Sequence, residues 1–313
     1  MLNAADYEAL RAGKWDFWIL RDLGDVQMLE SLAAIAERQP NSKHPQTLPF
    51  TWPPDTNKNH YFLKVFHRRP GATKVKDLLR ATKARRFWQQ GLALNAAGFT
   101  VPLTVVFGER RRWGSAERSL VLTKKIEGQP APVYLSGLSY SRDDCAHVKR
   151  KRGALAQLGQ TVRRFHDLGF VHGDLVATNI FISNWRADST DFYFMDNDRT
   201  RLYPSWLTGK LRKRNLVQLN RLPLAHITLQ DRLRFLHAYL GVVKLTMRDR
   251  RFARWLEART RQRRNECDGI DPNGSFRKLM CWVPETTSAQ NGKILFRRAE
   301  PLPYTDCQGR IRK

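Results

Sequence analysis

The sequence predicts an α+β fold in two lobes: a small β-rich N-terminal lobe, then a larger, mainly helical one. Three observations carry this. His60-Tyr61-Phe62-Leu63-Lys64-Val65-Phe66, Val101 to Phe107 and Ser119 to Thr123 are β-branched and aromatic runs separated by turn signals. After Lys149 the period changes to a helical one, with Leu155, Leu158, Val162 and Phe165 on one side, and later Leu233, Phe235, Leu236, Tyr239 and Leu240. Between those helices lie two short apolar runs, Ile180 to Ile182 and Phe192 to Met195, each next to a polar loop. With 313 residues the chain can bury two lobes of ordinary size. We place them at residues 1–127 and 128–250, followed by a basic extension, 251–313.

Taken in order, Trp15 to Leu20 reads as a strand and Leu29 to Arg38 as a helix with Leu29, Leu32, Ala33, Ile35 and Ala36 on one side. Pro40 to Pro54 carries five prolines and reads as loop. Gly13 and Gly24 are isolated, and no G-x-G-x-x-G occurs. Lys64 sits inside a convincing strand. Val75 to Ala97 has a helical pattern that is basic on one face through Lys74, Lys76, Arg80, Lys83, Arg85 and Arg86. No acid lies between Asp77 and Glu109. Arg110 to Glu117 reads as the loop of a hairpin, and Lys124 to Gly128 as the hinge between lobes. The long helix from Lys149 to Leu168 is closed by Gly169 as a C-cap, with His166 as an ordinary helix residue. Phe170-Val171 is a short strand. Asn197 to Arg221 is very basic, densest at Lys210, Arg212, Lys213 and Arg214. Asp231 to Leu245 is a second amphipathic helix. A charged helix to about Arg264 and a strand at Lys293 to Arg297 complete the tail.

The chemistry concentrates in His172-Gly173-Asp174-Leu175-Val176-Ala177-Thr178-Asn179 and in Asp196, fourteen residues beyond Ile182. This is a carboxylate on a loop, an amide five residues on, and a second carboxylate at the end of the next strand. A metal-bound phosphoryl donor needs that set: one acid takes the proton of an attacking hydroxyl, while the amide oxygen and the other acid hold magnesium across the phosphates. The spacing from Asp174 to Asn179 is the H-x-D-x-x-x-x-N of protein-kinase-like catalytic loops. The expected fold is therefore bilobal and protein-kinase-like, with ATP and Mg2+. Asp174 is the candidate catalytic residue and Asn179 and Asp196 the candidate metal ligands. Lys64 is the candidate cofactor-binding lysine that meets the α- and β-phosphates, and backbone at the hinge would meet the adenine edge. Two usual parts are missing: a glycine-rich loop, and a helix Glu to pair with Lys64, whose place falls near Phe87.

Charge narrows the partner. Fifty-five Lys and Arg against 29 Asp and Glu give +26, a surface for polyanions. Cys145, Cys267, Cys281 and Cys307 are scattered, without metal spacing, which fits a reduced cytosolic setting. No signal peptide or spanning segment is expected.

From the catalytic loop through Phe192-Tyr193-Phe194-Met195-Asp196-Asn197-Asp198-Arg199, the chain resembles the lipopolysaccharide core kinases of the Kdo/WaaP family. Arg212-Lys213-Arg214-Asn215-Leu216 and Asp231-Arg232-Leu233-Arg234-Phe235-Leu236 resemble the segments that follow in that family, and Arg85-Arg86-Phe87-Trp88 to Gly98 and Pro102 resemble its N-lobe helix. The likeness covers about residues 58–245 and is strongest from 155 to 240. It implies a protein-kinase-like fold and ATP- and magnesium-dependent phosphorylation of a lipid A inner-core sugar, Kdo or heptose. It also implies Asp174 as base, Asn179 and Asp196 as metal ligands and Lys64 as phosphate contact. The implied partners are a lipopolysaccharide inner-core precursor and an anionic membrane surface, with no specific nucleic acid expected. The implied place is cytoplasmic, peripheral at the inner face of the cytoplasmic membrane.

Gly173 stands where regulated protein kinases have an Arg that pairs with a phosphorylated loop, and no A-P-E follows Asp196; both point to a small-molecule or sugar kinase. Two alternatives remain at this stage. One is a small-metabolite kinase of the aminoglycoside or choline phosphotransferase type, which shares H-G-D but has no need of +26. The other is a pseudokinase that binds anionic glycolipid without catalysis.

Overall fold

The structure is a computed structural model that describes residues 2–23, 25–42, 45–53, 60–67, 81–137, 145–183, 190–221 and 227–268, with short strands at 282–284, 296–298, 304–305 and 311–312. It divides into two compact units. One comprises residues 1–128, 172–174 and 181–202, and the other residues 129–171, 175–180 and 203–313.

The first unit is built on a six-stranded antiparallel sheet. Its strands are β1 (Tyr7–Ala12), β2 (Trp15–Leu20), β3 (Gln46–Thr51), β4 (His60–His67), β5 (Thr104–Arg112) and β6 (Ser115–Lys124), in the spatial order β1-β2-β5-β6-β4-β3. Alternation along the strands gives two buried faces. On one, Phe17, Ile19, Leu63, Val65, Leu120 and Leu122 pack with Met28, Leu29 and Leu32 of helix α1 (Val26–Arg38). On the other, Tyr7, Phe66, Phe107 and Val121 pack with Ala84, Phe87 and Trp88 of helix α2 (Lys83–Ala96). Asp25 caps α1 by accepting from the backbone N–H groups of Gln27 and Met28. At its other end Arg118 donates to the carbonyls of Ala36 and Glu37.

Two expectations are corrected here. Pro40 to Pro54 is not all loop, because Gln46–Thr51 forms β3 and pairs with β4, Pro49 opposite Phe62. The proline is tolerated because β3 is the sheet's edge strand, where one side needs no ladder hydrogen bond. The loop of the 110–117 hairpin shrinks to Trp113 and Gly114, whose φ values of 53° and 74° are those of a tight two-residue turn. Arg110 and Glu117 are strand residues there, paired at 2.8 Å. The predicted helix from Val75 is described only from Lys83; Lys74, Lys76 and Arg80 lie outside the described residues.

The second unit is helical: α3 (Ala131–Gly137), α4 (Cys145–Asp167), α5 (Gly209–Leu219), α6 (Leu229–Leu240) and α7 (Met247–Asp268). The basic stretch after Asp196, given no element by the sequence, becomes α5. The predicted helix from Asp231 starts at Leu229, behind a Thr228/Asp231 capping box. It does not run to Leu245: Gly241, at φ 67°, ends it after Leu240. Asp231 also pairs with Lys151 of α4 at 2.8 Å. Helices α4 and α6 pack closely at Gly159, where a Cβ would lie 2.5 Å from the carbonyl oxygen of Phe235.

His166 is no ordinary helix residue. It is fully buried, with Nδ1 2.9 Å from the Tyr239 hydroxyl and Nε2 3.2 Å from Asn215 Oδ1. A neutral ring protonated on Nε2 satisfies both partners, donating to Asn215 and accepting from Tyr239. Burial, its largest perturbation, pushes the pKa down to about 4. The unfolded chain takes up this proton near its usual value of about 6.5. Between those values the unfolded state holds more protons, so stability falls as pH drops from about 6.5 towards 4. Between about pH 7 and pH 5 this one ring should remove about 2 kcal/mol. Urea midpoints for wild type and His166→Gln at both pH values check it; equal slopes would contradict it.

Candidate active site

All of the sequence-predicted residues fall within the described segments. Lys64, Asp174 and Asp196 lie in the first unit and Asn179 in the second. Lys64 points from β4 to the α2 side of the sheet, and its Nζ donates to Asp196 Oδ1. Its side chain is mostly buried, whereas that of Asp196 is half exposed. The lysine also lies 5.6 Å from the centre of the Phe66 ring, as does Lys83 of α2. Phe87, at the helix position where the sequence search sought a Glu, is buried in the same cluster as Phe66. Lys64 thus has an aromatic face and the Asp196 carboxylate in place of a helix acid.

Strand β7 (Ile180–Ser183) pairs with β8 (Asp191–Phe194), and β8 delivers Asp196. Asp196 adopts the left-handed conformation, φ 54° and ψ 47°. Among L-residues Asp is one of the few that tolerate it, at a cost of roughly 1 kcal/mol. It precedes a single 3-10 turn, Asn197–Arg199, yet its side chain caps none of that turn's N–H groups. Asn197 holds the turn instead: fully buried, it donates from Nδ2 to the Phe194 carbonyl at 2.8 Å. Helix α2 packs directly on this turn.

His172 ties the loop to the strand end. It is fully buried; its Nδ1 accepts from the Asp174 N–H at 3.1 Å and its Nε2 donates to the Met195 carbonyl at 2.8 Å. Burial lowers its pKa, keeping the ring neutral as this arrangement demands. One imidazole therefore fixes the backbone of Asp174 and that of the residue before Asp196. Gly173 faces Arg199: a Cβ there would meet Arg199 Cβ at 2.1 Å and its carbonyl oxygen at 2.9 Å. Its smallness is a packing requirement, a reason the sequence argument from a missing Arg did not contain. Asn179 ends a 3-10 turn, Ala177–Asn179, with its N–H on the Val176 carbonyl at 2.9 Å.

Two more residues matter that the motifs did not mark. Glu109 on β5 is 2% exposed and accepts from Thr82 Oγ1 at 2.6 Å, Arg85 Nε at 3.1 Å and Arg111 Nε at 3.1 Å. Thr82 is also the N-cap of α2. This buried acid therefore anchors the helix start and not Lys64. Its sequence signal, a lone Glu after an apolar strand and before three arginines, is visible only in retrospect. Gly13 turns β1 into β2 at the sheet edge opposite β3. Three strands, β2, β5 and β6, separate β1 from the Lys64 strand, so this hairpin does not cover the lysine.

The donor chemistry suits a hard divalent cation. A carboxylate that its own turn leaves uncapped, as at Asp196, is the kind of ligand magnesium takes when phosphates and water complete its shell. Among the described residues no group of three or more His, Cys, Asp and Glu could hold a metal alone. Likewise none of their helices is long and apolar enough to cross a membrane.

No curated protein matches the chain significantly. Among solved structures, one described as WaaP in complex with acyl carrier protein superposes with a TM-score of 0.53 at 19% identity, over 74% of this chain and 92% of that one. At that identity the likeness establishes the fold, a bilobal kinase-like one. The model of the lipopolysaccharide kinase (Kdo/WaaP) family matches residues 36–239, well over half the chain. The chain belongs to the lipopolysaccharide kinase (Kdo/WaaP) family, phosphotransferases that act on sugar hydroxyls.

Proposed function

We propose that the chain transfers the γ-phosphoryl group of ATP to a hydroxyl of an inner-core sugar, Kdo or heptose, of a lipopolysaccharide precursor at the cytosolic membrane face. The observation that carries the site assignment is the His172 brace, which joins the Asp174 backbone to the strand end bearing Asp196. Asp174 accepts the proton of the sugar hydroxyl as its oxygen attacks the γ-phosphorus and the bond to ADP breaks. The proton ends on the Asp174 carboxylate and the negative charge on departing ADP. Lys64 has three N–H donors, so it can keep Asp196 and still offer hydrogen bonds to phosphate oxygens. Asn179 and Asp196 would hold the magnesium ion, which neutralises phosphate charge. Phe66, its ring centre 5.6 Å from Nζ, shields one side of Lys64 from water, strengthening its hold on Asp196.

The +26 charge supports a membrane-bound polyanion as acceptor over a free metabolite. Retention of Asp174, Asn179 and Asp196 together supports catalysis over binding alone. Mass spectrometry of inner-core lipopolysaccharide from cells with and without the gene tests the reading. Loss of one phosphate from the inner core is expected; an unchanged phosphate content would overturn it.

A further inference from the structure

The second unit carries a surface that the phosphoryl transfer does not use. Helix α7 turns Leu256, Thr260 and Arg264 inwards, all buried. Helical periodicity sets Arg248, Arg251 and Trp255 on the opposite side, and all three are exposed. The rings of Phe252 and Trp255 stack with centroids 5.9 Å apart. Lys213, reaching over from α5, lies 6.0 Å from the first ring and 5.4 Å from the second. Lys210, Lys213 and Arg214 lie three and four residues apart on one exposed face of α5. Just before that helix Trp206 is 79% exposed, and at the start of α7 Met247 is 69% exposed. Glu257 and Glu266 are taken up by Arg261 and Arg263. Among the described residues no ion pair takes up Arg251 or Arg254.

We propose that this α5–α7 face docks on an anionic lipid bilayer. Trp206 and Trp255 enter the headgroup layer, and Lys210, Lys213, Arg214, Arg251 and Arg254 meet lipid phosphates. The proposal rests on the membrane reading above and says which surface serves it. Tryptophan with an apolar body and an N–H edge is the side chain that settles at a membrane–water boundary, and long cationic side chains reach from there to the phosphates. The aromatic pair favours lipid over nucleic acid. Stacking bases need open ring faces, whereas the Trp255 rings are already met by Phe252 and Lys213.

The test uses the full chain with phosphatidylcholine vesicles and with mixed phosphatidylcholine/phosphatidylglycerol vesicles. Wild type should sediment with the mixed vesicles and little with the neutral ones. Replacing Lys210, Lys213 and Arg214 by Gln should weaken partitioning about 100-fold, at roughly fivefold per charge. Brominated lipids should quench the wild type, and the double variant Trp206→Phe, Trp255→Phe should lose most of that quenching. Thermal melts and phosphorylation of a soluble, deacylated acceptor should stay as in wild type for all variants. Failure of wild type to bind mixed vesicles would remove the membrane reading itself. Wild-type binding that the triple variant retains would leave that reading standing and overturn this surface assignment. Loss of heparin retention in the triple variant with unchanged vesicle binding would overturn it too, in favour of a soluble acidic partner.

Discussion

Replacing Asp174 with Ala is expected to lower turnover by roughly 10²- to 10⁴-fold, the range for removing a positioned general base. The variant should fold, because the His172 link between loop and strand uses the Asp174 backbone N–H, which the substitution keeps. ATP binding should change only a few-fold, since Lys64 and Asp196 keep their contact. Steady-state kinetics with varied ATP and acceptor separate these effects. Wild-type turnover in the variant would remove Asp174 as the base.

Gly173→Ala should be nearly as damaging, for a steric reason. The new methyl would sit 2.1 Å from Arg199 Cβ, 2.9 Å from the Arg199 carbonyl oxygen and 3.1 Å from its carbonyl carbon. Two of those neighbours are backbone, so a side-chain rotation cannot relieve the clash. The turn Asn197–Arg199 must move, and Asp196 is its first neighbour, held in a left-handed conformation by that turn. A displacement of about 1 Å at a reacting group is worth about 10²-fold in rate. The overpacking itself should cost about 1–3 kcal/mol of stability. Because Asp196 moves, the magnesium concentration for half-maximal rate should rise along with the fall in kcat. Gly153→Ala is the control: nothing lies within 4 Å of its Cβ in helix α4, so the change should be neutral or slightly stabilising. Equal kinetics for the two variants would refute the steric account of Gly173.

The second lobe was the more legible in sequence because its signals are local. The helix through Leu155, Leu158, Val162 and Phe165 ends at Gly169, which takes φ 85° as a C-cap glycine does. The strands around Asp196 likewise follow from short apolar runs. What escaped depends on pairing at a distance. Gln46–Thr51 reads as proline-rich loop until β4 supplies its ladder. The stretch around Lys213 reads as a charge run until Leu216 and Val217 find a core. His166 looks like any helix histidine until Tyr239 and Asn215, 73 and 49 residues away, meet its ring.

At the site the same division holds. The candidates Asp174, Asn179 and Asp196 come from spacing, because phosphoryl-transfer chemistry asks for residue types at fixed intervals in one stretch. The absence of a helix acid was equally visible at Phe87. What Lys64 has instead was not, since Asp196 lies 132 residues further on. The destination of the buried acid Glu109 depends on Thr82 and Arg85, which only the fold brings to β5.

The central claim is that Asp174 drives phosphoryl transfer to an inner-core sugar. It is tested most directly by incubating the purified chain with ATP, magnesium and a deacylated inner-core acceptor, then weighing the product by mass spectrometry. The account predicts one added phosphate on a core sugar, dependent on magnesium and nearly abolished in Asp174→Ala. No transfer, or transfer undiminished in that variant, would contradict it.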